Sequence, residues 1–445
     1  MGDGLSMSHR ISRAKFSRAK VSRAVATLLL VSVLGACSEE RDTATDDDSA
    51  PVAACSPEEL LSCARESSIA ALVGDEPVEA TGEPITIGMV NQENTPAGSY
   101  PELSQAAQAF VTWFNEQLGG VDGRPIRLEV CNTGFSAEGS TACGQRFAQA
   151  GVPVVLGGID VFGNATDVLL ENEIPFVGGI PVSEQSMRND NSFQWSGGTW
   201  GATVAFADHA AAEGAKRVAI VYGDFGSVAD GAAYGKTTLE DRGVEVTMVP
   251  FPIVATDLSA PMQAAASGQP DAIIVLAADT GCGAAFDSVR TLGITSAMYY
   301  TGACAAPPIT DAAGDAAEGA IFNVEGPVQP DDPNPDTELY NSVLGAYVPE
   351  LDPVGAATVA ARSVVNLYSV LRGIGADELS PTAIADALRA SSGASSFMGH
   401  DYTCDGEQLS GLPATCAPQQ ILVRMESGEL AQLGDWIDVG AVYPG

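Results

Sequence analysis

The chain has 445 residues, enough for two or more domains each with its own core. With 45% hydrophobic and 18% charged residues it has the composition of a globular protein rather than a disordered one. Its 57 acidic against 21 basic side chains, a formal charge of −36, argue against nucleic-acid binding, which depends on clustered Lys and Arg.

At the N-terminus Arg10, Arg13, Lys15, Arg18, Lys20 and Arg23 precede an apolar run over 24–34. That run is shorter than the roughly 20 residues a membrane-spanning helix needs, so residues 1–36 read as a signal peptide. Leu34-Gly35-Ala36-Cys37 resembles a bacterial lipobox, in which Cys37 would be acylated and become the mature N-terminus. The competing reading is an ordinary signal peptide with an incidental cysteine. The lipobox reading predicts a protein held outside the cytoplasmic membrane by lipid. Cleavage there removes six of the 21 basic residues and one of the 57 acidic ones, leaving 15 against 56. Such acidity reads as a solvated surface or as attraction for a cationic partner.

Residues 37–54 are acidic, small and aperiodic, and read as a flexible tether. Residues 55–82 hold one short helix near 57–67 and a polar linker, an extension with no nameable chemistry. From Ile85 short apolar runs alternate with helical patterns. Strands at 85–90, 126–131, 154–156 and 176–177 are separated by helices at 100–118, 141–150 and 164–171. After Trp195-Ser196-Gly197-Gly198 the alternation restarts. Helices at 199–213 and 230–242 frame strands at 218–222 and 246–249, and strands at 297–301 and 320–322 follow. Between them Ile273 to Arg290 reads as a buried strand, a small-residue turn at Asp279-Thr280-Gly281-Cys282-Gly283 and a helix. Such a turn, beyond the carboxyl end of a strand, is where open α/β sheets bind ligands. The C-terminal part reads as helices at 337–347, 353–372 and 381–390. Strands near 397–404 and 419–425 and from Leu430 onward complete it. The predicted fold class is α/β: two Rossmann-like lobes, parallel sheets flanked by helices, joined by a hinge with chain crossovers.

Setting Cys37 aside, eight of the nine cysteines remain, an even number suited to an oxidising compartment. Proximity suggests Cys131 with Cys143, Cys282 with Cys304, Cys404 with Cys416, and Cys55 with Cys63. The last pair fails if a helix starts at once after Ser56, because Cys63 would then lie two turns away. There is no CxxC pair, and His209 and His400 are the only histidines beyond the leader, so neither a metal nor another cofactor is expected. Nor is an enzyme. No G-x-S-x-G elbow is present, and Gly281-Cys282-Gly283 lacks the third glycine of a dinucleotide loop, where Phe286 stands.

Several stretches resemble the type I periplasmic solute-binding proteins, specifically the leucine/isoleucine/valine-binding family of ABC importers. They are Ile85-Thr86-Ile87-Gly88, the GGxxGxxI turn from Gly119 to Ile126, Val218-Ala219-Ile220-Val221 and Phe397-Met398-Gly399. The resemblance implies a type I periplasmic-binding-protein fold with lobe 1 formed by 83–195 plus about 327–395. Lobe 2 is formed by 196–326 plus about 396–445. It further implies a small polar or amino-acid-like solute bound between the lobes, delivery to an ABC permease, and action as a monomer. The alternative is a sensor domain that signals to a membrane partner without transport.

Carried over position by position, the resemblance puts solute contacts at Ser99 and Tyr100, Asp160 and Phe162, and Ile180 in lobe 1. In lobe 2 it puts them at Asp224 and Phe225 and at Asp279 and Thr280. Trp200 and the other aromatics near strand ends line the cleft or pack the cores. The family's serine and threonine hydroxyls for a ligand carboxylate are replaced at Val161 and Val182, and its ammonium-binding glutamate at Cys304. Asp279 either restores that charge or caps the helix after it.

Overall fold

The computed structural model describes residues 55–56, 59–95, 98–326, 334–353 and 355–445. The expected signal peptide, Cys37 and the tether lie outside them, as does the side chain of Asp279. Two sheets organise the chain. The first has five parallel strands in the order β2-β1-β3-β4-β5: β1 (Ile85–Asn91), β2 (Ile126–Asn132), β3 (Val155–Gly157), β4 (Phe176–Val177) and β5 (Ser192–Phe193). The second has seven in the order β12-β11-β10-β9-β8-β6-β7. Its parallel part comprises β6 (Arg217–Gly223), β7 (Glu245–Phe251), β8 (Ala272–Leu276), β9 (Ala297–Tyr300) and β10 (Ile321–Val324). The antiparallel hairpin β11 (Ile421–Glu426) and β12 (Glu429–Gln432) closes one edge.

Helices cover both faces, which is why the middle strands are apolar at every position. All of Ala272 to Leu276 is buried. In lobe 1 the layer contains α1 (Leu60–Glu66), α2 (Pro101–Gln117), α3 (Ala137–Ala150), α4 (Asn164–Glu171) and α5 (Glu184–Arg188). In lobe 2 it contains α6 (Gly198–Ala212), α7 (Gly226–Asp241), α8 (Ser259–Ser267), α9 (Asp279–Leu292) and α10 (Pro307–Ala313). The chain then returns to lobe 1 with α11 (Pro335–Tyr347), α12 (Ala356–Ile374) and α13 (Pro381–Arg389). It ends on α14 (Val439–Val442), packed on α6. The inward stripe of α2 brings Phe114 flat against Tyr368 of α12, ring centroids 4.0 Å apart. In the GGxxGxxI turn Gly119, Gly120 and Gly123 all have positive φ, and a Cβ on Gly120 would lie 2.2 Å from the carbonyl oxygen of Arg124. No side chain fits at Gly120.

The extension before Ile85 is part of lobe 1. Leu60, Cys63, Ala64 and Ile69 belong to its core, and Val78 and Ala80 donate to carbonyls of Gln117 and Asn115 in α2. Buried Asp336 accepts the backbone N–H of Ser68 at 2.7 Å on one oxygen and that of Met398 at 2.9 Å on the other. The stretch 397–404 is not the expected strand. It makes a single bridge, Tyr402 to Ala394, and packs Phe397, Met398, Tyr402 and Cys404 into the core of lobe 1. The tight segment Gly399-His400-Asp401 and the Cys404–Cys416 disulfide hold it out of either sheet. Four disulfides form, and they are the pairs that proximity along the chain suggests. Cys55 reaches Cys63, with Cα atoms 6.5 Å apart, because α1 begins only at Leu60. Among the described residues no helix is long and apolar enough to cross a membrane.

Candidate functional site

Three hinge segments join the lobes in front of the sheets: 194–197 after β5, the stretch after β10 that begins at Glu325, and 417–420 before β11; between Cys404 and Cys416 the chain also reaches onto lobe 2, where Leu409 and Leu412 join its core. The strand-end loops of the two sheets meet in front of these crossings. Phe162, after β3, stands edge-on to Phe225, after β6, with centroids 5.6 Å apart, and Phe135 backs Phe162 at 5.4 Å. The Ser227 hydroxyl of α7 donates to the carbonyl of Val182, in the loop after β4. Arg188 of α5 pairs with Asp230 of α7 at 2.7 Å, and the same carboxylate oxygen accepts the Trp200 indole N–H at 2.7 Å. The lobes are therefore in contact along their facing strand ends.

Of the residues proposed from sequence, Phe162 and Phe225 are brought together. Asp160 and Ile180 line one small cavity in lobe 1. Ser99 is exposed, its hydroxyl accepting the N–H of Asn94, and Tyr100 is buried at the start of α2, where its N–H meets the carbonyl of Gln92. Asp224 and Thr280 are exposed on the lobe 2 side. Trp200 is fully buried in the core of lobe 2, in the same apolar cluster as Met187 of α5, and its indole N–H donates to Asp230 of α7.

Asp160 sits where β3 gives way to α4. One carboxylate oxygen accepts the Ser140 hydroxyl at 2.6 Å, and Ser140 in turn accepts the N–H of Ala165 at 2.8 Å. Burial pushes the Asp160 pKa up. The Ser140 hydroxyl and the nearby amides of Gly163, Phe162 and Ala165 oppose that shift without cancelling it. The other oxygen, Oδ1, is buried without a hydrogen-bond partner. Above it runs the loop Gly178-Gly179-Ile180-Pro181-Val182-Ser183, which approaches β3 so closely that a Cβ on Gly179 would lie 2.4 Å from the carbonyl carbon of Gly157. Gly179 also has φ +86°. We expect Gly179→Ala to cost more than about 1 kcal/mol in urea unfolding, because the loop must lift from β3.

Lobe 2 offers a stiff wall. The Cys282–Cys304 disulfide joins the first turn of α9 to the segment after β9, with Cα atoms 5.2 Å apart. Thr301 donates to the Ala277 carbonyl at 2.6 Å, and the Gly302 N–H donates to Asn323 Oδ1 at 2.8 Å.

Behind both walls lies a cluster that the sequence reading did not find. The Glu325 carboxylate accepts from Ser196 Oγ at 2.7 Å, Gln420 Nε2 at 2.9 Å and Arg362 Nη2 at 2.6 Å. Arg362 also donates to the carbonyl of Glu325. Ser196, Glu325 and Gln420 belong to the three different crossings, and Arg362 to α12 of lobe 1. The pair is buried, with side-chain exposures of 4% for Arg362 and 9% for Glu325. Asn323 Nδ2 donates to Gln420 Oε1 at 2.9 Å, so the disulfide-braced wall and the hinge share one hydrogen-bonded chain. The available signal was Arg362 itself, an arginine among the buried apolar positions of α12.

Among the described residues no group of His, Cys, Asp and Glu side chains is arranged to hold a metal ion.

Comparison with known proteins agrees in architecture. Residues 84–412 match the family model described as periplasmic binding protein. No curated protein sequence matches the chain. Among solved structures, a leucine-binding protein, LivK, from Thermotoga maritima is similar at 17% identity and a TM-score of 0.67, over 79% of this chain and 98% of that one. A solute-binding protein of an ABC transporter from R. palustris, in complex with 4-hydroxybenzoate, is similar at 18% identity and 0.66, over 80% and 97%. An ABC transporter substrate-binding protein from Desulfitobacterium hafniense, in complex with Leu, is similar at 19% identity and 0.63, over 79% and 100%. At these identities the likeness speaks to the fold.

Proposed function

The chain belongs to the periplasmic binding protein family, and from that premise we propose that it is an extracytoplasmic receptor for a small polar or amino-acid-like solute. It captures the solute between its lobes and delivers it to an ABC permease, tethered to the membrane through lipid on Cys37. The observation that carries this reading is the meeting of the two sets of strand-end loops in front of a hinge of three crossings. Solute binding draws on its differential affinity for the closed form and does not require a bond-making step. Structural relatives bound to Leu and to 4-hydroxybenzoate add support for a small organic solute and leave its class open.

A thermal-shift screen against amino acids, amides, ureas and short carboxylates, followed by small-angle scattering of the free and loaded protein, tests the proposal. A true solute at a hundred times its Kd should add about 2.7 kcal/mol of stability. It should also leave the radius of gyration at the value of the closed form. A broad screen without any stabilising solute would count against a receptor. Metabolic labelling with a palmitate analogue should mark the wild-type chain and not Cys37→Ala; equal labelling of both would remove the lipid anchor.

A further inference from the structure

We infer that the cavity beneath the 178–183 loop is a subsite for one N–H-bearing head group of the solute, a primary ammonium or an amide nitrogen, with Asp160 as its acceptor. This rests on the receptor reading above and narrows the class of solute. The cavity measures about 10 Å³, the room taken by one water-sized group. Asp160, Thr166, Ser183 and Ser186 supply its polar lining.

The hydroxyls of Ser183 and Ser186 are engaged with each other at 3.1 Å, and that of Ser186 also donates to the Ser183 carbonyl at 2.7 Å. What remains is Asp160 Oδ1 and Thr166 Oγ1, both buried without a hydrogen-bond partner, on residues only 7% and 2% exposed. One is an acceptor only, and the other is a hydroxyl that either gives or takes.

The start of a helix ordinarily favours an anion. At α4 that anion is already built in: the Asp160 carboxylate, fixed by Ser140 at 2.6 Å. A solute carboxylate entering here would meet a like charge, whereas an ammonium or amide nitrogen would complete Asp160 and Thr166 together. The roof of the cavity includes Val182, whose carbonyl accepts Ser227 from lobe 2. The contact between the lobes therefore lies against the wall of this subsite.

The test uses the purified protein with probes matched in shape: acetamide and L-leucinamide against acetate and 4-methylpentanoate, at equal ionic strength, read by thermal shift and calorimetry. The amide and amine probes should bind and their carboxylate counterparts should not. Asp160→Asn should weaken L-leucinamide about tenfold or more, the range of a buried hydrogen bond to a charged group. Thr166→Val, which keeps the carboxylate and the shape of the site, should weaken it less, and it decides the matter should Asp160→Asn fail to fold. Carboxylates binding as well as their amide counterparts would overturn the subsite and leave the receptor standing. So would undiminished L-leucinamide affinity in both variants, or a crystal soaked in acetamide that holds only water in this cavity. No response to either half of the panel would count against receptor and subsite alike.

Discussion

Arg362→Met should lower the unfolding free energy by about 3–5 kcal/mol, because it strands the Glu325 carboxylate in a buried site without its cation. The loss exceeds that of an ordinary surface ion pair because neither partner is solvated, and because the same carboxylate holds Ser196 and Gln420 from the other two crossings. Glu325→Leu in the same chain should recover a large part of the loss, since replacing both charges by apolar groups removes the uncompensated one. Denaturant unfolding of the two single variants and the double variant gives the coupling directly. A coupling below about 1 kcal/mol would mean that the pair does not hold the hinge. Scattering of the same proteins without solute adds a separate readout. If Glu325 fixes the relation between the crossings, the double variant should regain stability and still show a broader distribution of lobe separations than the wild type.

Removing the Cys282–Cys304 bridge should cost about 3 kcal/mol, the value expected for closing a loop across 22 positions of sequence. Cys282→Ala/Cys304→Ala is the clean variant, since a single substitution leaves a free thiol. The bridge braces the carboxyl ends of β8 and β9, so the double variant should also bind solute more weakly, through a wall that must be ordered on binding rather than before it. Equal unfolding midpoints of wild type and double variant under oxidising conditions would show that the wall is held by the bonds from Thr301 and Gly302 alone.

The lobes were legible because their cause is local. A strand covered by helices on both faces must be apolar throughout, and Ile273 to Leu276 announces this in sequence as plainly as in the structure. The glycines of the GGxxGxxI turn were legible for the same reason, each φ being set within a few residues. Trp200 was not. Its helix, α6, is buried over most of its first ten residues, so hydrophobic periodicity could not say which face meets a cleft. Nor was α8 visible, since Ser259–Ser267 is a run of small residues with weak amphipathic contrast. The hinge cluster was hidden by distance: Arg362 and Glu325 lie 37 residues apart, and Ser196 and Gln420 lie 129 and 95 residues from Glu325. Only the three crossings bring them together, and no local pattern encodes where three crossings converge. The stretch 397–404 misled in the opposite sense. Its residues suit a strand, yet no sheet edge is offered to them, and Asp336 and a disulfide claim its backbone and its end instead.

The extension before Ile85 gives the molecule a mechanical polarity. Cys55 is bridged to α1, α1 is buried against lobe 1, and Asp336 clasps the backbone at Ser68. A pull on the chain ahead of Cys55 therefore loads lobe 1, and among the described residues no comparable clasp ties that extension to lobe 2. If the chain is moored at its N-terminus, lobe 1 is the stator and lobe 2 the rotor. Solute capture is then a swing of the free half toward the moored one. A membrane partner that reads the position of lobe 2 would distinguish loaded from empty receptors without touching the solute.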